Sequence, residues 1–95
     1  MKLKDICEFK TNFEGADFWI KKKGGEDTIG KPTKTFSSED IGVKVTRTDL
    51  VLPDFLFYYF LYMQSNGIFS RLAHGSLNLK NISIKDIENI PVSFR

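Results

Sequence analysis

Lysine, serine, threonine and asparagine set among glycines are the residues of this chain best suited to chemistry. They fall in three polar stretches: Lys21 to Gly25, Thr28 to Thr35 and His74 to Lys80. Small residues let a backbone come close to a ligand. Lys, Ser and Thr donate to phosphate oxygens, and Asn can pair with a base edge. Taken singly, each stretch also reads as an ordinary hairpin or inter-helix loop with solvated charge. Other chemistry lacks its parts. There is one cysteine, Cys7, and one histidine, His74, and no HExxH, CxxC or EF-hand pattern, so no metal site is expected. A Cys7/His74 nucleophilic dyad is conceivable from residue types, but a lone cysteine is more often a small buried hydrophobe. Gly30-Lys31-Pro32-Thr33 matches only the end of a phosphate-binding P-loop, without its first glycine or following helix. No catalytic residue, metal or cofactor is expected, and the chain reads as a non-enzyme.

Composition sets the frame for those stretches. The 95 residues suit one domain, and 41% hydrophobic with 27% charged residues is ordinary for a globule. Fourteen basic against twelve acidic side chains leave a net charge of +2. That excludes both an acidic DNA mimic and a histone-like binder, so any nucleic-acid role rests on a local patch. The basic excess lies in residues 1–48, with ten basic and eight acidic side chains; residues 49–95 have four of each. A single cysteine forms no internal disulfide, and the start Met-Lys-Leu-Lys-Asp-Ile-Cys-Glu has no apolar core of a secretory signal. The longest apolar run, Phe55 to Met63, is about half a bilayer span. A cytoplasmic protein without membrane contact is expected. On that basis the glycosylation-like Asn81-Ile82-Ser83 is a chance match.

The elements that must position the polar stretches follow from periodicity. Leu3 to Phe9 are mixed in period, fitting a short helix or a strand. Phe18-Trp19-Ile20 predicts a strand running into a basic loop broken by Gly24-Gly25. Thr28 to Phe36 predicts a turn and a short strand. Ile41, Val43 and Val45 alternate with Gly42, Lys44 and Thr46, a strand with one wet face that ends or bulges near Arg47. Pro53 and Asp54 open a helix. Leu52, Phe55, Leu56, Tyr59, Phe60 and Met63 follow the helical rhythm, while Phe57, Tyr58, Leu61 and Tyr62 make the other side apolar too. Such a helix is expected to be central and covered on most sides, with Phe55, Leu56, Tyr59 and Phe60 at the core's centre. Asn66-Gly67 stops it. Ile68, Phe69 and Leu72 predict a second helix, ended by Gly75, and His74 to Lys80 a polar loop. Ser83-Ile84-Lys85-Asp86 has capping-box form before Ile84, Ile87 and Ile90. Ile90 to Phe94 alternates like a strand, with Pro91 placing it at an edge or a start. The expected class is α+β: a small mixed sheet packed around a central apolar helix.

The order of these phrases resembles the target recognition domain of type I restriction-modification specificity subunits. The matching pieces are Lys2-Leu3-Lys4-Asp5-Ile6-Cys7, the turn Gly25…Thr28-Ile29-Gly30-Lys31, the helix Leu52 to Leu61, and the ending Gly75 to Ile82 with Ile84 to Val92. They span nearly the whole chain. The Phe-Leu-Phe-Tyr-Tyr helix and the Asn-Leu…Ile-Pro-Val ending are the specific parts. The resemblance implies a single, shortened domain over residues 1–95 that reads one half of a split double-stranded DNA target, without catalysis, beside a methyltransferase or restriction subunit. The segment between Trp19 and Val43 looks cut down relative to the family. The sequence stops at Arg95, where the family's spacer helix would begin, and a second recognition domain is missing. Candidate DNA contacts are Lys21, Lys22, Lys23, Lys31, Lys34, Lys44, Arg71, His74, Ser76, Asn78 and Lys80. The first five of these are expected on one exposed face. A second reading is a small phage or mobile-element protein that binds and interferes with a restriction-modification or other nuclease component. Exposure of Tyr58, Tyr62 or Trp19 would favour it, because aromatics are enriched at protein interfaces. Composition leaves the oligomeric state open.

Overall fold

A computed structural model describes residues 1–93. The mixed period at the start resolves into a 3-10 turn, Leu3–Asp5, followed by strand β1 (Cys7–Thr11). Then come β2 (Phe18–Ile20), β3 (Lys23–Gly24), β4 (Pro32–Thr33) and β5 (Ile41–Val45). Helices α1 (Pro53–Ser65) and α2 (Ile68–Leu72) follow, then β6 (His74–Ser76), β7 (Leu79–Asn81) and α3 (Ile84–Glu88). The fold is α+β, as expected. The strands form two sheets, in the orders β1-β5-β2-β4 and β3-β7-β6, and every pairing is antiparallel. A single mixed sheet would need a long crossover for its parallel pair.

Alternation decides the inner face of the first sheet. Cys7 faces Val45, Phe9 and Phe18 flank Val43, and Ile20 faces Ile41, so these side chains share one side and are all buried. On that side α1 packs through Leu56, Phe60 and Met63, its three buried residues. The Phe18 ring meets Phe60 edge-on at 5.2 Å and Phe57 at 5.5 Å. Phe60 in turn stacks on Phe69 of α2 at 5.6 Å. On the outer side, Gly42 lies directly under Phe13 and Ala16: a Cβ there would stand 2.6 Å from that of Phe13. Trp19 covers the same spot, 6% exposed, with its Nε1 donating to the Phe13 carbonyl at 2.9 Å. Of the expected wet face, Lys44 and Thr46 are exposed and Gly42 is covered.

The central-helix expectation needs correction. α1 is a covering helix whose buried residues, Leu56, Phe60 and Met63, lie on one side. Phe55 is 54% exposed, Tyr58 67% and Tyr62 64%, and Tyr59 is half-buried. Of the four residues expected at the core's centre, Leu56 and Phe60 are there and Phe55 is not. A helix that is apolar all round carries no phase to say which side is covered, and a domain this small has no second layer for the other.

The remaining boundaries follow local chemistry. Asp86 donates its amide to the Ser83 hydroxyl at 3.1 Å, capping α3. β5 stops before Arg47, where Thr46 and Arg47 both donate to the Ile6 carbonyl. Of the expected terminal strand, Pro91 bridges to Lys2 and Val92 donates to the Met1 carbonyl at 2.9 Å; Phe94 lies outside the described residues. Among the described residues no helix is long and apolar enough to cross a membrane.

Candidate nucleic-acid interface

The stretch expected to be a polar loop is a β-hairpin. β6 and β7 pair His74 with Asn81, Gly75 with Lys80 and Ser76 with Leu79, around a turn at Leu77 and Asn78. Gly75 makes this hairpin possible: its φ is 119°, and an added Cβ would collide with the Leu79 carbonyl oxygen. The hairpin adds a third strand from the far end of the sequence, with Lys23 opposite Asn81 and Gly24 opposite Lys80. Residues directly opposite across a sheet share a face. Lys23, Asn81 and His74 therefore form one row, and Ser76 and Leu79 lie two residues further along the same face.

Several bonds hold this small sheet to the domain. The Lys22 carbonyl accepts from Ile82 N at 3.0 Å, and Lys22 Nζ donates to Asn81 Oδ1 at 3.2 Å. Lys80 points to the other face, where its Nζ donates to the Ser70 carbonyl of α2 at 3.1 Å. At the tip, Glu26 N donates to the Leu77 carbonyl at 2.9 Å. His74 Nε2 stands 3.5 Å from Asp86 Oδ2 of α3, with the imidazole 80% exposed. A shallow groove of about 450 Å³ runs between Lys23, His74, Leu79 and Asn81.

The second polar stretch adjoins the first. Lys21 N donates to the Lys31 carbonyl and Gly30 N to the Lys21 carbonyl, at 3.1 and 2.8 Å. The turn is seated on the core, because Gly30 (φ 77°) packs against the Phe69 ring where a Cβ would not fit. Lys21 is partly spent within the fold: it stands 3.4 Å from buried Asp40, whose Oδ2 has no hydrogen-bond partner among the described residues. Lys23 and Lys31 make no side-chain hydrogen bond or ion pair among the described residues. The same holds for Ser76 and Asn78, so those two side chains do not hold the hairpin together.

Three candidates lie elsewhere. Lys34 reaches the start of α1, 2.9 Å from Asp54 and over the Phe57 ring at 4.8 Å. Lys44 sits on the outer side of the first sheet beside Asp17, at 3.8 Å, and opposite Glu8. Arg71 folds back to cap α1, donating to the Asn66 carbonyl at 3.0 Å. Backbone bonds set Lys21 beside Lys31, and Lys23 lies on the second sheet opposite Asn81, whereas Lys34 is drawn away by an acidic helix start and an aromatic ring. Asn81 was missed. Its only sequence signal was a glycosylation-like triplet, and its place between Lys23 and His74 comes from cross-strand register. The exposure of Leu77 and Leu79, 65% and 69%, was missed as well.

Comparison with protein-family models, curated proteins and solved structures finds no match to this chain.

The groups that could do covalent chemistry are not assembled here. Cys7 is buried on the inner side of the first sheet, where burial, with the charge of Asp17, pushes its thiol up to about 12. His74 is paired with Asp86 on the other sheet, so the conceivable dyad is not formed. Among the described residues no group of three or more His, Cys, Asp or Glu could hold a metal. What the second sheet offers is donors: ammonium groups, an imidazole, a hydroxyl and amides, on a strand surface open to solvent.

Proposed function

We propose that this domain binds double-stranded DNA in the cytoplasm, as a non-catalytic reader of the half-site type that its resemblance to type I restriction-modification specificity domains implies. One observation carries the reading. The β3–β7–β6 sheet brings together two polar stretches about fifty residues apart, with Lys23, His74, Ser76 and Asn81 on one solvent-facing side. On such a surface Asn and Ser can meet base edges and Lys can meet phosphates. Lys22 and Lys31 flank it, giving the local patch that a net charge of +2 requires. Glu26, beside the hairpin tip, and Asp86, beside His74, oppose that patch, so affinity at physiological salt is modest.

The test is selection of bound duplexes from a random pool at low salt, followed by titration of the selected site. A family of related sequences, bound more weakly as salt rises, supports the reading. No retained duplex at low salt overturns it. A second reading, a protein that binds a methyltransferase or other restriction component, is favoured by the exposure of Tyr58 and Tyr62, though not by Trp19, which is buried.

A further inference from the structure

The β6–β7 hairpin closes on a pair unlike the rest of its face. Ser76 and Leu79 stand directly opposite one another, the last pair before the turn at Leu77 and Asn78. Both point to the side that carries Lys23, His74 and Asn81, and their Cβ atoms lie about 4.5–5.5 Å apart on that surface. Leu79 is 69% exposed, more than any other large apolar side chain among the described residues.

The fold does not use this leucine. Backbone contacts place the strand: the Leu77 carbonyl accepts from Glu26 N at 2.9 Å, the Lys22 carbonyl accepts from Ile82 N at 3.0 Å, and Gly75 lies under the Leu79 carbonyl oxygen. Lys80, the next residue, turns to the opposite face and bonds to α2. The Ser76 hydroxyl makes no hydrogen bond to another of the described residues. A free hydroxyl and an uncovered leucine thus stand side by side, on a hairpin bonded to the domain at its base and at its tip.

One base edge is the complement of such a pair. In the major groove thymine presents its O4 acceptor beside a 5-methyl group, and none of the other three DNA bases carries that methyl. We propose that the Ser76–Leu79 pair reads a thymine, the hydroxyl donating to O4 and the leucine covering the methyl; this rests on the DNA reading above. The Lys23 ammonium, one row further along the same face, suits a phosphate of the duplex so read. Leu79 is then a specificity residue: it adds no charge and no hydrogen bond, and it separates thymine from every base without the methyl.

The test uses the full chain and the duplex selected from the random pool. Deoxyuridine replaces each thymine in turn, which deletes the methyl and keeps O4. At one position the exchange should weaken binding by the parent about fourfold, the worth of one covered methyl group. Leu79→Ala alters an exposed position and should keep the parent's circular dichroism and melting. It should bind the thymine duplex more weakly and no longer tell thymine from deoxyuridine at that position. Ser76→Ala should weaken both duplexes alike and keep their ratio, because its hydroxyl meets O4 and not the methyl. Leu52→Ala, a leucine 65% exposed just before α1, is the control and should leave the ratio unchanged. If the parent binds its duplex and no thymine responds to the exchange, or the selected site holds no thymine, the proposal is overturned while the DNA reading stands. A Leu79→Ala variant that keeps the parent's ratio overturns it as well. If no duplex is retained at all, the DNA reading falls and the proposal with it; binding to phosphatidylserine vesicles that Leu79→Ala abolishes would then assign the leucine to a lipid surface.

Discussion

Phe60→Ala and Phe55→Ala, one turn and one residue apart on α1, should differ sharply in stability. Phe60 has no exposed surface, with Phe18 edge-on at 5.2 Å and Phe69 stacked at 5.6 Å. Burying about 200 Å² of ring at about 25 cal/mol per Å² is worth about 5 kcal/mol. Phe→Ala substitutions in cores cost about 3–5 kcal/mol, including the cavity left behind. A domain of this size holds about 5–14 kcal/mol in all. At about 4–8 °C per kcal/mol, Phe60→Ala should lower the Tm by about 12–40 °C. Phe55 is 54% exposed, so its loss opens no closed cavity and should cost about 1 kcal/mol or less, within about 8 °C. Thermal and urea unfolding followed by circular dichroism compares the two. If both variants melt alike, or if Phe60→Ala keeps the parent's Tm, the assignment of buried and exposed sides of α1 is wrong.

Lys23→Ala with Lys31→Ala should remain folded and should flatten the log–log salt dependence of duplex binding by about two, one per lost phosphate contact. An unchanged slope would remove these lysines from the interface, and Lys44→Ala serves as the control that should leave it unchanged. Ser76→Ala with Asn78→Ala should melt like the parent, since neither side chain bonds to another of the described residues, yet bind the selected duplex at least tenfold more weakly. Equal binding would reduce the hairpin to a structural part. Gly75→Val should unfold the hairpin and abolish duplex binding while α1 and the first sheet persist, visible as loss of amide protection confined to residues 74–82 and the β3 segment that pairs with them. Cys7 ionises at about 12 in the fold but at 9.0 as a free thiol. Above pH 9 the unfolded chain therefore releases this proton first, and stability falls as pH rises from 9 towards 12. The slope approaches about 1.4 kcal/mol per pH unit. Below pH 9 both states keep the proton and the effect vanishes. The excess slope of Tm between pH 9 and 11 should disappear in Cys7→Ala, and a parent without that excess would contradict the buried thiol.

The elements with strong local signals were legible from sequence. Ile41, Val43 and Val45 alternate because one side of β5 is core, and Pro53, Asp54 and the Asn66-Gly67 stop bound α1 by chemistry confined to a few neighbouring residues. Ser83 announces α3 in the same way. The α+β class follows from these. Three matters were not legible, each because it depends on residues far apart in the chain. β3, β6 and β7 hold only two or three residues apiece; none has enough alternation to read as a strand, and they become a sheet only when Lys23 finds Asn81. The grouping of the lysines depends on their partners: Asp54 draws Lys34 away and Asp17 holds Lys44, while among the described residues no acid claims Lys23 or Lys31. The exposed side of α1 was hidden because its sequence is apolar in every direction. Periodicity reports a buried face only through contrast with a polar one, and here the tertiary packing of Phe60 between Phe18 and Phe69 decides which side is inside.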